Sequence, residues 1–100
     1  MATVRADVGK SGDFVQRESI ARVFRTFIQA HFPVVKKRGL RDEDFLLTSG
    51  IIDSLGVLDI VSFMEAEFTV NVADEELIPE NFQSIDRMAA FVVRKQSGEL

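Results

Sequence analysis

The sequence contains no cysteine, tryptophan or tyrosine, only two prolines and a single histidine. Without cysteine there is no disulfide, no thiolate nucleophile and no thiolate zinc site. The one histidine, His31, would need a serine on one side and an orienting group on the other to serve a nucleophilic hydrolase. No Gly-x-Ser-x-Gly elbow accompanies it, so His31 is read as a partly buried or dipole-favoured residue ending the apolar face of a helix. Positive charge is also in deficit. Twelve Lys and Arg against sixteen Asp and Glu give a net charge of -4, the wrong sign for a nucleic-acid partner. No stretch approaches the ~20 apolar residues of a membrane span, and residues 1–12 lack the apolar run of a secretion signal. These absences predict a cytoplasmic monomer with neither membrane nor nucleic acid as partner and no resident metal.

What is present is enough for one core. A chain of 100 residues, 46% of them hydrophobic, fits a single domain that folds without metal or disulfide support. Residues 1–12 are small, polar or charged and read as a flexible tail, the domain occupies 13–96, and 97–100 form a second tail. Asp13 and Gln16 have the spacing of a capping box. Ile20, Val23, Phe24, Phe27 and Ile28 then recur on one helical face, which Pro33 ends near Phe32. A long loop follows, with Leu40, Phe45, Leu46, Leu47, Ile51 and Ile52 available to pin it. The second helix spans Asp53 or Ser54 to about Phe68, with Val57, Ile60, Val61, Met64 and Phe68 turned inward. After a strand-like link at 69–73, Asp74-Glu75-Glu76-Leu77 makes a short helical turn before Pro79. Ser84 opens a last helix, which carries Arg94 and Lys95 in its final turn and ends near Gln96. The fold class is therefore all-α: a four-helix bundle of three longer helices and one short one, with a long loop between the first two.

The chemistry concentrates at Gly50-Ile51-Ile52-Asp53-Ser54-Leu55, where a serine stands at the junction of a structured loop and an amphipathic helix. A phosphate ester on such a serine faces unpaired backbone amides and the positive end of the helix dipole, which makes a fixed pivot. Asp53 is read as the helix cap or as a group that orients an incoming donor. Leu55 falls opposite the inward stripe and is expected at the surface beside Ser54. Asp59, Ser62 and Glu65 continue that outward face as a docking surface, with Glu67 as a further carboxylate.

The segment from Leu47 to Phe68 resembles the modification loop and second helix of the acyl and peptidyl carrier protein family, and Asp53-Ser54-Leu55 matches the family's Asp-Ser-Leu core. The likeness extends from the first helix to Val93. It implies that Ser54 receives 4'-phosphopantetheine from coenzyme A through a magnesium-using phosphopantetheinyl transferase. It further implies partners in an acyl- or aminoacyl-loading enzyme and a downstream acyltransferase or synthase of fatty acid, polyketide or nonribosomal peptide biosynthesis. Such a protein is a substrate of other enzymes and not an enzyme itself; the cofactor brings the reactive thiol and the protein brings position. Gly56 departs from fatty-acid-type carriers, which commonly have an acidic residue there. It lowers helix propensity, removes one docking charge and, with the segment 74–82, favours a stand-alone carrier of a specialised pathway. The competing class is a small acidic helical adaptor that binds a basic partner without any covalent cofactor.

Three further features have plainer readings. The clusters Asp42-Glu43-Asp44 and Asp74-Glu75-Glu76 lack the glycine and twelfth-position glutamate of a calcium loop and read as solvated charges. Lys36, Lys37, Arg38 and Arg41 form a basic cluster, read as keeping the loop soluble in preference to contacting an anionic partner. Phe63, beside the inward stripe, is the aromatic residue marked for contact with cargo or partner.

Overall fold

The first helix, α1, runs Ala2–His31. In this computed structural model the backbone of residues 2–35 and 39–98 is described, with the side chains of 16–35 and 39–98, so Lys36, Lys37 and Arg38 of the basic cluster lie outside the described residues. The helix thus begins ahead of the start expected for it at Asp13. Residues 2–12 contain no proline, and Gly9 and Gly12 each cost about 1 kcal/mol of helix propensity without interrupting the hydrogen-bond ladder. Asp13 and Gln16 thus lie inside the helix and not at its cap, and Gln16 Nε2 donates to Gln96 Oε1 at 2.6 Å, tying α1 to the far end of the chain. The inward stripe is as the spacing predicts: Ile20, Phe24 and Ile28 are buried, with Val23 and Phe27 half-buried beside them. The helix stops two residues before Pro33.

Helix α2 spans Ser54–Phe68, with Ile60 and Met64 fully enclosed and Val57, Val61 and Phe68 half-buried along the same stripe. Thr69 ends it in the left-handed region at φ 54°, a helix stop more often made by glycine. An extended link leads to a 3-10 turn at Asp74–Glu76, then to the short helix α3 at Pro79–Phe82 and to α4 at Ile85–Gln96. The helical turn expected at 74–77 is present as the 3-10 turn. Pro79 then starts a further short helix that was not expected, because a first-turn residue has no intrahelical use for an N–H and proline's fixed φ suits that place. Ser84 caps α4 as expected, its Oγ accepting from Arg87 N–H at 3.2 Å. The described residues form an all-helical protein of four helices, with the long loop between α1 and α2 and without strands.

One core joins these elements, built from Phe24 and Ile28 of α1, Ile60 and Met64 of α2, Phe82 of α3, and Ile85, Met88, Phe91 and Val92 of α4. Leu46 and Ile52 close it from the loop, but Phe45, expected to help pin that loop, is 54% exposed with the Arg87 guanidinium 5.7 Å from its ring centre. Of the two readings of His31, its place in the last turn of α1 fits the dipole-favoured one and not the partly buried one. It is exposed, stacked on Phe27 with ring centres 4.0 Å apart, and its Nδ1 lies 3.0 Å from the Phe27 carbonyl oxygen.

Two carboxylates at opposite ends of α4 give stability opposite dependences on pH. Glu76 accepts Ala73 N–H at 2.8 Å and pairs with Lys95 at 2.9 Å, and these contacts hold its carboxyl below the usual range. Desolvation, together with the Asp42 and Glu43 carboxylates, pushes Asp86 up despite its favourable place in the first turn. A depressed carboxyl adds stability above its unfolded pKa and loses it as pH falls through its folded value. A raised one subtracts stability as pH rises from its unfolded to its folded value. Accordingly, Glu76→Gln is expected to lower the melting temperature at pH 7 and Asp86→Asn to raise it. Both differences should shrink towards zero in melting curves taken at progressively lower pH through the acid range.

Candidate functional site

Ser54 is the first residue of α2 and is exposed. Its position is fixed from both sides. On the helix side, Asp53 is the N-cap: its Oδ1 accepts Gly56 N–H at 2.9 Å and its backbone carbonyl accepts Val57 N–H at 2.9 Å. The cap role foreseen for Asp53 is thus in place, with the carboxylate aimed into the first turn. On the loop side, Ile52 is 1% exposed and its N–H donates to the Leu46 carbonyl at 3.0 Å, closing the turn that delivers the chain to Asp53.

The loop is itself anchored by charge. Arg25 of α1 makes a two-pronged pair with Asp42, at 2.9 and 2.7 Å, and the Asp42 carbonyl accepts Asp86 N–H at the start of α4 at 3.0 Å. The pair raises the already high pKa of Arg25, chiefly through the hydrogen bond to Asp42. In the first acidic cluster, then, Asp42 links three elements and Asp44 accepts Arg41 N–H at 2.9 Å, so these two are structural groups and not merely solvated ones. Arg41, the described member of the basic cluster, lies 3.7 Å from the Asp44 carboxylate.

Three of the four residues expected to dock partners, Leu55, Asp59 and Ser62, fall on one exposed strip of α2. Leu55 is 73% exposed, and Asp59 and Ser62 continue the strip at helical spacing. Glu65 is differently placed: it is half-buried, and its Oε2 accepts Val72 N–H at 2.9 Å, holding the extended link against α2. Leu58, 53% exposed and one turn from Leu55, was missed, although its place off the inward stripe is the same signal that identified Leu55.

Gly56 has a different role from the one its chemistry alone suggested. It is buried, and a Cβ built on it would lie 2.9 Å from both Ile52 Cγ2 and Phe32 Cε1. The position faces the loop and the end of α1, so a carboxylate there would be driven inward and would not join the exposed strip of Leu55, Asp59 and Ser62.

Beside Ser54 opens a groove of about 370 Å³ whose walls include Leu47 and Ile52 of the loop, Val57 of α2, and Leu77, Ile78 and Phe82 around α3. An exposed alcohol on a capped helix terminus, next to a mostly apolar groove, leaves room beside it for an attached flexible chain with an uncharged body. Phe63 lies elsewhere, stacked on Phe27 with ring centres 4.0 Å apart and edge-on to Phe24 at 6.0 Å. It belongs to the aromatic seam between α1 and α2 and not to this groove.

No family model matches the chain. Over 59 residues it is 34% identical to the probable acyl carrier protein PigG of Serratia sp., an alignment that covers 59% of this chain and 68% of that protein.

Proposed function

Because this chain belongs to the acyl carrier protein family, we propose that it holds acyl or aminoacyl groups as thioesters on a 4'-phosphopantetheine arm esterified to Ser54 and passes them between partner enzymes. The observation that carries this reading is the exposed Ser54 at the first position of α2, fixed by the Asp53 cap and bordered by an apolar groove. When attached, the arm supplies the thiol that the cysteine-free chain lacks. The protein's own residues supply place and recognition. Ser54 Oγ is the point of attachment, and Asp53 holds the amides of the first turn in register. The first-turn dipole favours the negative phosphate ester. Leu55, Asp59 and Ser62 present the strip that a phosphopantetheinyl transferase, a loading enzyme and a downstream acyltransferase or synthase meet in turn, with Glu65 at its far end. The working unit is residues 13–96, acting in the cytoplasm as a substrate of other enzymes and without catalysis of its own. Gly56, where fatty-acid-type carriers commonly have an acidic residue, supports with the segment 74–82 service in a specialised pathway over fatty acid synthesis.

Intact-mass measurement after incubation with coenzyme A, magnesium and a broad-specificity phosphopantetheinyl transferase tests the reading. The wild type should gain one pantetheine phosphate and Ser54→Ala none; equal gain by both, or none by the wild type, would sink it. Leu55→Ala should slow modification or transfer while changing stability by no more than about 0.5 kcal/mol, since an exposed side chain leaves no cavity. A large drop in melting temperature for that variant would return Leu55 to the core.

A further inference from the structure

Gln83 sits at the corner between α3 and α4, 7% exposed, and neither the composition nor the helical spacing marks it out. Its side-chain oxygen accepts three hydrogen bonds from the loop: Leu47 N–H at 3.0 Å, Thr48 N–H at 3.1 Å and Thr48 Oγ1 at 3.3 Å. Two backbone donors meet this atom, so it must be the acceptor end of the amide. The backbone of the same residue completes the joint. Its carbonyl accepts Leu46 N–H at 2.7 Å, and its N–H donates to the Pro79 carbonyl at 2.8 Å.

The consequence reaches Ser54 through a short path. Leu46, held by Gln83, accepts Ile52 N–H, and Ile52 is buried two residues before Ser54. Gln83 also follows Phe82, which walls the groove. One residue therefore fixes the loop that precedes the serine to the corner that forms the groove's far side, through its backbone at Leu46 and through its side chain at the adjoining Leu47 and Thr48. Thr48 is exposed, so water can reach its N–H once the acceptor is removed. Loss of Gln83 is then expected to loosen 46–52 without unfolding the helices.

We propose that Gln83 is the positioning residue of the modification site: its side-chain carbonyl holds Leu47 and Thr48 so that Ser54 and its loop are presented to the modifying enzyme in one arrangement. This rests on the reading of Ser54 as the attachment point. An enzyme that recognises only the closed loop binds more weakly in proportion to the fraction closed, so a loosened loop raises KM for the carrier and leaves kcat alone.

The test uses the full chain with coenzyme A and a broad-specificity phosphopantetheinyl transferase, well below the melting transition. Gln83→Met keeps the length but places a methyl group where the acceptor stood. It should raise the KM for the carrier about tenfold, corresponding to a closed fraction of about one tenth, with kcat within about twofold. Gln83→Glu, which keeps an acceptor, should restore most of the wild-type KM. A KM within twofold of wild type for Gln83→Met, or a Gln83→Glu as poor as Gln83→Met, would overturn the proposal. Amide hydrogen exchange of the wild type reads the clamp with no variant and no enzyme: Leu47 and Thr48 should be protected alongside α4, and free exchange at both would also overturn it. A wild type that takes no pantetheine while those amides are protected marks a failure of the Ser54 reading and removes the role in modification assigned to Gln83.

Discussion

Replacing Phe82 with alanine is expected to lower the unfolding free energy by about 3–5 kcal/mol, the cost of deleting a fully enclosed ring and leaving a cavity. Against the 5–15 kcal/mol or so that holds a domain of this size, that is a large share. The loss should be felt locally as well. A four-residue helix cannot form by itself, and α3 persists because its neighbours hold it. Phe82 tilts onto Phe91 of α4 with ring centres 5.7 Å apart. Beside it, buried Asn81 donates to the Glu76 carbonyl at 2.9 Å and accepts from Arg94 at 3.2 Å. Without the ring, polar bonds alone would tether the segment 77–82, which forms one side of the groove beside Ser54. Urea unfolding should show the midpoint shift, and amide exchange should show 77–82 opening more readily than α2. If the midpoint of Phe82→Ala fell by less than the equivalent of about 1 kcal/mol, α3 would not be held by its aromatic anchor.

The features legible in the sequence were those written in local patterns. The stripe Ile20, Phe24, Ile28 gave α1 its buried face, and the Asp53 and Ser84 caps stand where a polar residue precedes an apolar run. Ser54 was singled out by the resemblance of Asp53-Ser54-Leu55 and its surroundings to carrier proteins. The start of α1 was not legible because a tract of small and polar residues carries no stop signal, only weak propensity, and propensity does not decide such a boundary. Gln83, Glu65 and Asp42 were missed as structural residues for another reason. Each bonds to a partner that is distant in sequence or irregular in structure: Gln83 to Thr48, Glu65 to Val72, Asp42 to Arg25. A polar side chain in sequence has no visible partner, so each was either passed over or taken for a surface charge. The candidate site was therefore half readable. The outward strip follows from periodicity and the choice of Ser54 from the resemblance around Asp53-Ser54-Leu55, whereas the Gln83 contacts depend on how a loop folds back on a corner.

Gly56 is where the two kinds of reading collide, and Gly56→Glu tests which is right. If the glycine were simply a vacant docking charge, glutamate would be tolerated or even helpful, since a carboxylate suits the first turn of a helix and glutamate is the better helix former by several tenths of a kcal/mol. The packing says otherwise. The added Cβ would lie 2.9 Å from Ile52 Cγ2, a branch close to the backbone with little freedom to retreat, and equally close to the Phe32 ring. Overpacking of this kind costs roughly 1–3 kcal/mol, and turning the rest of the side chain towards the interior desolvates its carboxylate at a further cost of similar size. We expect a net loss of about 3 kcal/mol, read by urea or thermal unfolding, together with slower modification because Ile52 is displaced two residues from Ser54. Phe32→Ala in the same chain should recover part of that loss by removing one of the two obstacles, a coupling that independent sites would not show. A Gly56→Glu protein as stable as wild type would mean that Phe32 and Ile52 yield freely, and the residue would then be a surface choice after all.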